Sequence, residues 1–161
     1  MESTRRYGKF TSGTIALTAL LVGSLDLLTS CILFVKRSGR PVTDLLNYIA
    51  SAVFGPAAFV GQPMMPWWGV IFHYAIAFIF TTLFFLLYPL IRKGIRNTFL
   101  IAILYGIFIW IVMNLLVLPI SHVKMVPYTA FGVSVGAIIL IIMIGLPLAV
   151  VADRVSASAN Q

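Results

Sequence analysis

Apolar residues gather into four unbroken runs, Thr14 to Val35, Trp67 to Ile91, Thr98 to Leu118 and Ala130 to Ala152, and most charged residues fall in the gaps between them. Each run is about 21 to 25 residues long. A helix rising 1.5 Å per residue needs about 20 residues to cross a hydrocarbon core of about 30 Å, so each run is long enough. Lipid offers no partner to a backbone N–H or C=O, so runs of this length must be helices; barrel strands would be shorter and would alternate. The pattern predicts an all-α fold: a polytopic four-helix membrane bundle, with residues 1–161 forming one transmembrane domain.

The gaps define the ends. Lys36-Arg37-Ser38-Gly39-Arg40-Pro41 is a cationic, breaker-rich turn that stops the first helix at the headgroups. Asp44 is placed to cap a helix from Leu45, and the stretch 45–61 is apolar but short and broken at Gly55-Pro56. It reads as a re-entrant or interfacial helix between spans one and two, with a fifth crossing as the alternative. Trp67-Trp68 favours the interface at the start of the second span, and Tyr88-Pro89 marks its other end. The short turn Arg92 to Asn97 sets spans two and three antiparallel. Pro119 ends the third span, followed by a loop holding Ser121 and His122 that reads as solvated. Gly132 and Gly136 have the GxxxG spacing that allows close helix packing. The polar tail after Asp153-Arg154 is expected to fray.

Composition adds sidedness. The chain of 161 residues is 61% hydrophobic and 9% charged, with 11 Lys and Arg against 4 acids. The cations sit at run boundaries and form no stripe, which suits anionic lipid headgroups and argues against nucleic-acid binding. With the amino terminus inside, that side holds Arg5, Arg6, Lys9, Arg92, Lys93, Arg96 and Arg154, against Lys36, Arg37, Arg40 and Lys124 outside. Both termini are then expected in the cytoplasm. The single cysteine, Cys31, excludes an internal disulfide. Leu28-Thr29-Ser30-Cys31 resembles a lipoprotein cleavage box, but Asp26 interrupts the apolar core and Ile32 to Val35 continue it, so the segment reads as an uncleaved span.

Inside the four runs the charged or readily titrating side chains, apart from Asp26 and His73, are absent, and Asn114 is the next most polar group. An ionised carboxylate at mid-membrane costs about 2.5 to 3.5 kcal/mol, so Asp26 should turn away from lipid. Counted from the outer ends of their runs, Ser30, His73, Asn114 and Ser134 lie within roughly 3 Å of one depth, with Asp26 about one turn deeper. If their faces converge, Asp26, His73 and Asn114 form a polar cluster in which Asp26 is either protonated or paired with a protonated His73. The competing reading is structural: one interhelical hydrogen bond, worth about 0.6 kcal/mol. One His with one Asp falls short of a zinc site, and no sequence signature for a cofactor is present.

Gly23-Ser24-Leu25-Asp26, Tyr48-Ile49-Ala50-Ser51, Phe54-Gly55, His73-Tyr74-Ala75-Ile76-Ala77-Phe78, and Tyr105-Gly106 with Val112-Met113-Asn114 and Pro119 together resemble a group of uncharacterised bacterial inner-membrane proteins of the YagU-like type. The resemblance implies a small four-span protein of the bacterial inner membrane and no particular activity. Two functions remain open: proton-linked or small-solute transport or binding at Asp26, His73, Asn114, Ser30 and Ser134, or a non-catalytic accessory or scaffold subunit. The expected partners are the lipid bilayer and either further copies of the chain or a larger membrane complex. Catalysis is the least favoured class.

Overall fold

The computed structural model describes residues 10–123 and 129–158, so Arg5, Arg6, Lys9 and Lys124 lie outside it. Four long apolar helices make up the bundle: α1 (Ser12–Ser38), α3 (Met65–Gly94), α4 (Thr98–Ile120) and α5 (Ala130–Ser158). Each is long and apolar enough to cross a membrane. Large apolar side chains such as Leu17, Ile79, Leu90, Phe99 and Phe131 cover the outside, as a lipid-facing surface requires. The chain is a multi-pass integral membrane protein.

Local chemistry sets the helix ends. Thr11 Oγ1 accepts from the Thr14 N–H at 3.1 Å to cap α1. At its other end Gly39, with φ of 67°, takes the left-handed conformation and donates its N–H to Val35 O at 2.9 Å. Lys36 and Arg37 fill the last turn, where cations complement the helix dipole. Asn97 Oδ1 caps α4 at the Phe99 and Leu100 N–H groups, and Thr129 Oγ1 caps α5 at Gly132. Each helix overruns its apolar run by a few residues, because capped ends continue through the headgroup region. Pro89 does not end α3: it lies inside the helix, which carries on through Arg92 and Lys93 to Gly94.

The segment between α1 and α3 forms α2 (Val42–Phe54) and a 3-10 turn, Gly55–Phe59. Thirteen residues of helix rise about 20 Å, too little to span the hydrocarbon core. Its start corrects one expectation, since the helix begins at Val42 and Asp44 lies in the first turn, paired with Arg40 at 2.8 Å, instead of capping. α2 lies against the first turns of α3 so closely that a Cβ on Gly69 would stand 2.1 Å from Leu46 O.

The long helices are antiparallel to their chain neighbours. Phe10 packs on Phe85 and Tyr88, and Tyr88 donates to the Asp153 carboxylate, so both ends of the described chain meet at one end of the bundle. There the core is dense, with Phe84, Tyr88, Leu148, Ala149 and Ala152 fully buried. Asp153 also accepts from the Thr98 hydroxyl and pairs with Arg92 at 2.9 Å. Three helices are thereby tied to one carboxylate. The expected fraying of the tail is therefore corrected as far as Ser158, which closes α5; residues 159–161 lie outside the described part.

Backbone also meets backbone between α4 and α5. A Cβ on Gly106 would meet Ile141 Cα at 2.6 Å, and one on Gly145 would meet Ala102 O at 2.3 Å. Only hydrogen fits at either position. The Gly132/Gly136 spacing does not make such a seam: a Cβ on Gly132 would meet only Thr129 of the same helix end, and one on Gly136 the Trp110 ring at 3.1 Å. Those two glycines instead border a cavity.

Gly145→Ala should destabilise the detergent-solubilised protein by about 1 to 3 kcal/mol, by forcing two backbones apart. Gly94→Ala, with nothing within 4 Å of its Cβ, should be neutral or slightly stabilising in the same denaturation series. Asp153→Ala should cost about 1 to 3 kcal/mol by removing the acceptor that Arg92, Tyr88 and Thr98 share. Asp44→Ala, which breaks an exposed i,i+4 pair, should cost under about 1 kcal/mol.

Candidate functional site

At the end of the bundle away from the described chain termini, the helices part around a cavity of about 620 Å³. All five helices contribute: Asp26 and Ser30 from α1, Tyr48 and Ala52 from α2, Phe72 and His73 from α3, Trp110 and Asn114 from α4, Gly132 and Gly136 from α5. Ser121 and Val123, beyond α4, help to close it, held there by the His122 N–H bond to Ala52 O at 3.1 Å. The loop after α4 thus packs onto α2 at its start. His122 itself is exposed, and Ser121 lines the wall.

Two wide turns shape this space. In α4 the Leu118 N–H reaches back five residues to Met113 O, and in α5 the Leu146 N–H reaches back five to Ile141 O. Pro119 and Pro147 each follow their wide turn by two residues. A proline ring collides with the carbonyl four residues earlier, here Leu115 and Met143, and a widened turn moves that carbonyl aside. The first wide turn carries Asn114 and Met113 on the cavity wall, and the second carries Ile144. Such turns recur at ligand sites because they re-aim side chains out of helical register.

The polar centre is built on a close approach of α1 and α3. Gly23 lacks the Cβ that would sit 3.1 Å from the Tyr74 ring and from Ala77. Its absence lets His73 Nε2 reach Gly23 O at 2.9 Å, while Tyr74 and Ser24 share a hydroxyl bond of 2.7 Å beside it. A carbonyl only accepts, so Nε2 carries the hydrogen and the neutral ring has its lone pair on Nδ1. Asp26 Oδ2 stands 4.0 Å from Nε2, within ion-pair range and beyond hydrogen-bonding reach. Both side chains are about 15% exposed, both onto the cavity. Among the described residues no hydrogen-bond donor is seated on the Asp26 carboxylate.

Four of the five residues singled out from the sequence, Asp26, His73, Asn114 and Ser30, line this one cavity. Asn114 donates its Nδ2 to Trp110 O at 2.9 Å, within its own helix. Ser134 is not among them: it is exposed and bonds back to Ala130 O at 2.9 Å. On α5 it is Gly132 and Gly136, and not Ser134, that face the cavity. Trp110, Met113 and Phe72 are wall residues that apolar patterning could not tell from packing or lipid-facing residues. The wall between α1 and α5, made by Ser30, Gly132, Gly136 and Ile139, also borders a second groove of about 350 Å³ that runs to Arg37 and Ser38. Arg37 is held over the Phe131 ring at 4.9 Å at that far end and does not line the main cavity.

Nitrogen NMR of labelled protein in detergent checks the His73 assignment. In the neutral ring Nε2 should carry the hydrogen and Nδ1 the lone pair. A neutral ring protonated at Nδ1 would contradict the Gly23 contact.

No family model, curated protein or solved structure matches this chain.

Proposed function

We propose that the protein binds a small, largely apolar solute in its intramembrane cavity and couples that binding, or the solute's passage, to a proton held by Asp26 and His73. The observation that carries this reading is the Asp26 carboxylate, which lines a cavity of ligand size with no hydrogen-bond donor on it among the described residues. A carboxylate kept for structural adhesion would be expected to engage a donor on a neighbouring helix. Here the nearest imidazole has committed its Nε2–H to Gly23 O and stands off at 4.0 Å. That leaves an acid and a base side by side, able to share or release one proton without unfolding anything. Intramembrane ionisable groups facing a cavity are the usual carriers of proton relays and solute sites.

The same reading places the chain in a bacterial inner membrane with both termini in the cytoplasm. Arg92, Lys93, Arg96 and Arg154 at the terminus-bearing end of the bundle favour it, since cations accumulate on the cytoplasmic face. The cavity then lies in the outer half of the membrane.

Proteoliposomes loaded with a pH-sensitive dye test the proton step. An imposed potential should drive proton movement above that of empty vesicles in the wild type, and Asp26→Asn should return it to the empty-vesicle rate while the protein remains monodisperse and helical. Should Asp26→Asn and His73→Ala both alter thermal stability alone, the proposal fails.

A further inference from the structure

The chemistry of the cavity wall restricts the solute further. Among the described residues Asp26 is its one acid, and neither Lys nor Arg lines it. Its other polar groups are uncharged: an imidazole whose Nε2–H is engaged by Gly23 O, and the hydroxyl or amide groups of Ser30, Tyr48, Asn114 and Ser121. Around them stand the aromatic side chains of Tyr48, Phe72 and Trp110. An anion would meet Asp26 with no cation among the described lining residues to offset it. A neutral solute would leave Asp26 to its own proton or to a protonated His73 and would draw nothing from its charge. A cation with apolar substituents satisfies both halves of the site, through the carboxylate and the negative faces of the aromatic rings.

We propose that the cavity of about 620 Å³ is a binding site for a lipophilic organic cation, an ammonium or phosphonium type bearing bulky apolar groups, with Asp26 as its counter-charge. This rests on the reading of the cavity as a solute site and adds the solute's class. Ser30, Gly132, Gly136 and Ile139 also border the second groove between α1 and α5, so the wall between the two spaces is one layer of side chains thick. The proton linkage follows from electroneutrality. The cation and a protonated His73 are alternative partners of one carboxylate, so binding one cation releases one proton from the Asp26–His73 pair to water, with no other bond made or broken. The titratable groups lining the cavity are Asp26 on α1, Tyr48 on α2 and His73 on α3; among the described residues α4, α5 and the Ser121–Val123 segment contribute none. Cation affinity therefore rises with pH until the pair has lost its proton.

The test is equilibrium dialysis of the purified full-length protein in a neutral maltoside detergent, using tetraphenylphosphonium and, as an anion of the same shape, tetraphenylborate. Wild type and Asp26→Glu should bind phosphonium saturably at one site, Ser134→Ala should match wild type, and Asp26→Asn should bind at least about thirtyfold more weakly. Tetraphenylborate should bind wild type no better than phosphonium binds Asp26→Asn. Equal phosphonium binding by Asp26→Asn, tight borate binding or no phosphonium binding at all would each overturn the cation class. If Asp26→Asn fails to fold, Trp110→Leu serves instead: it should weaken phosphonium binding several-fold, the worth of one cation–π contact, and an unchanged affinity overturns the proposal. Failure here is separable from failure of the proton reading. Asp26-dependent proton flux without phosphonium binding would leave that reading standing, and Asp26-dependent phosphonium binding without proton flux would leave the cation site alone.

Discussion

Backbone contact between α4 and α5 at Gly106 and Gly145 governs the shape of this protein. In lipid no hydrophobic force draws helices together, so association relies on packing, and glycines that admit backbone against backbone give the closest packing available. Ala102, Ala149 and Ala152 extend that contact toward the end where Asp153 joins Tyr88, Thr98 and Arg92. Beyond it, in the other direction, the wide turns before Pro119 and Pro147 and the large side chains Trp110 and Phe72 hold the helices apart. A bundle pinned at one end and propped at the other encloses a cavity. The short helix α2 covers that open end, itself seated on Gly69.

The polar centre uses the same device at a second junction. Gly23 brings α1 against α3, and the approach gives His73 a carbonyl to bond and sets Asp26 at its edge. Burying an acid and an imidazole this deep costs several kcal/mol unless each is compensated, and only the imidazole is bonded within the described protein. Among the described residues a charged His73 is the partner in reach, and a proton or a bound cation would serve in its place. That three-way choice connects packing to function: the helices are close enough to set the acid beside the base and too far apart to lock them in a hydrogen bond.

Much of this was legible in the sequence, for identifiable reasons. Apolar runs over 20 residues long admit one structure in lipid, so the four spans and the short helix between the first two could be read from length alone. Asp26 and His73 stood out because charge is rare in such runs. Asp153 did not, since a carboxylate near the end of an apolar run looks the same whether it meets water or, as here, a tyrosine, a threonine and an arginine from two other helices. The glycine pattern misled for a related reason. Gly132 and Gly136 carry the recognisable spacing but face a cavity, whereas Gly106 and Gly145 lie on different helices and form no local motif.

The sequence by itself determined the segment count and the helical state of each span, because both follow from residue spacing and the refusal of lipid to solvate polar groups. Rotation about each helix axis was left to the tertiary structure. Lipid-facing and helix-facing positions are both apolar, so no periodic contrast in polarity marks which face turns inward. Only packing, glycine against backbone and proline against carbonyl, decided that Ser30 lines the cavity with Asp26 and His73 while Ser134 looks out.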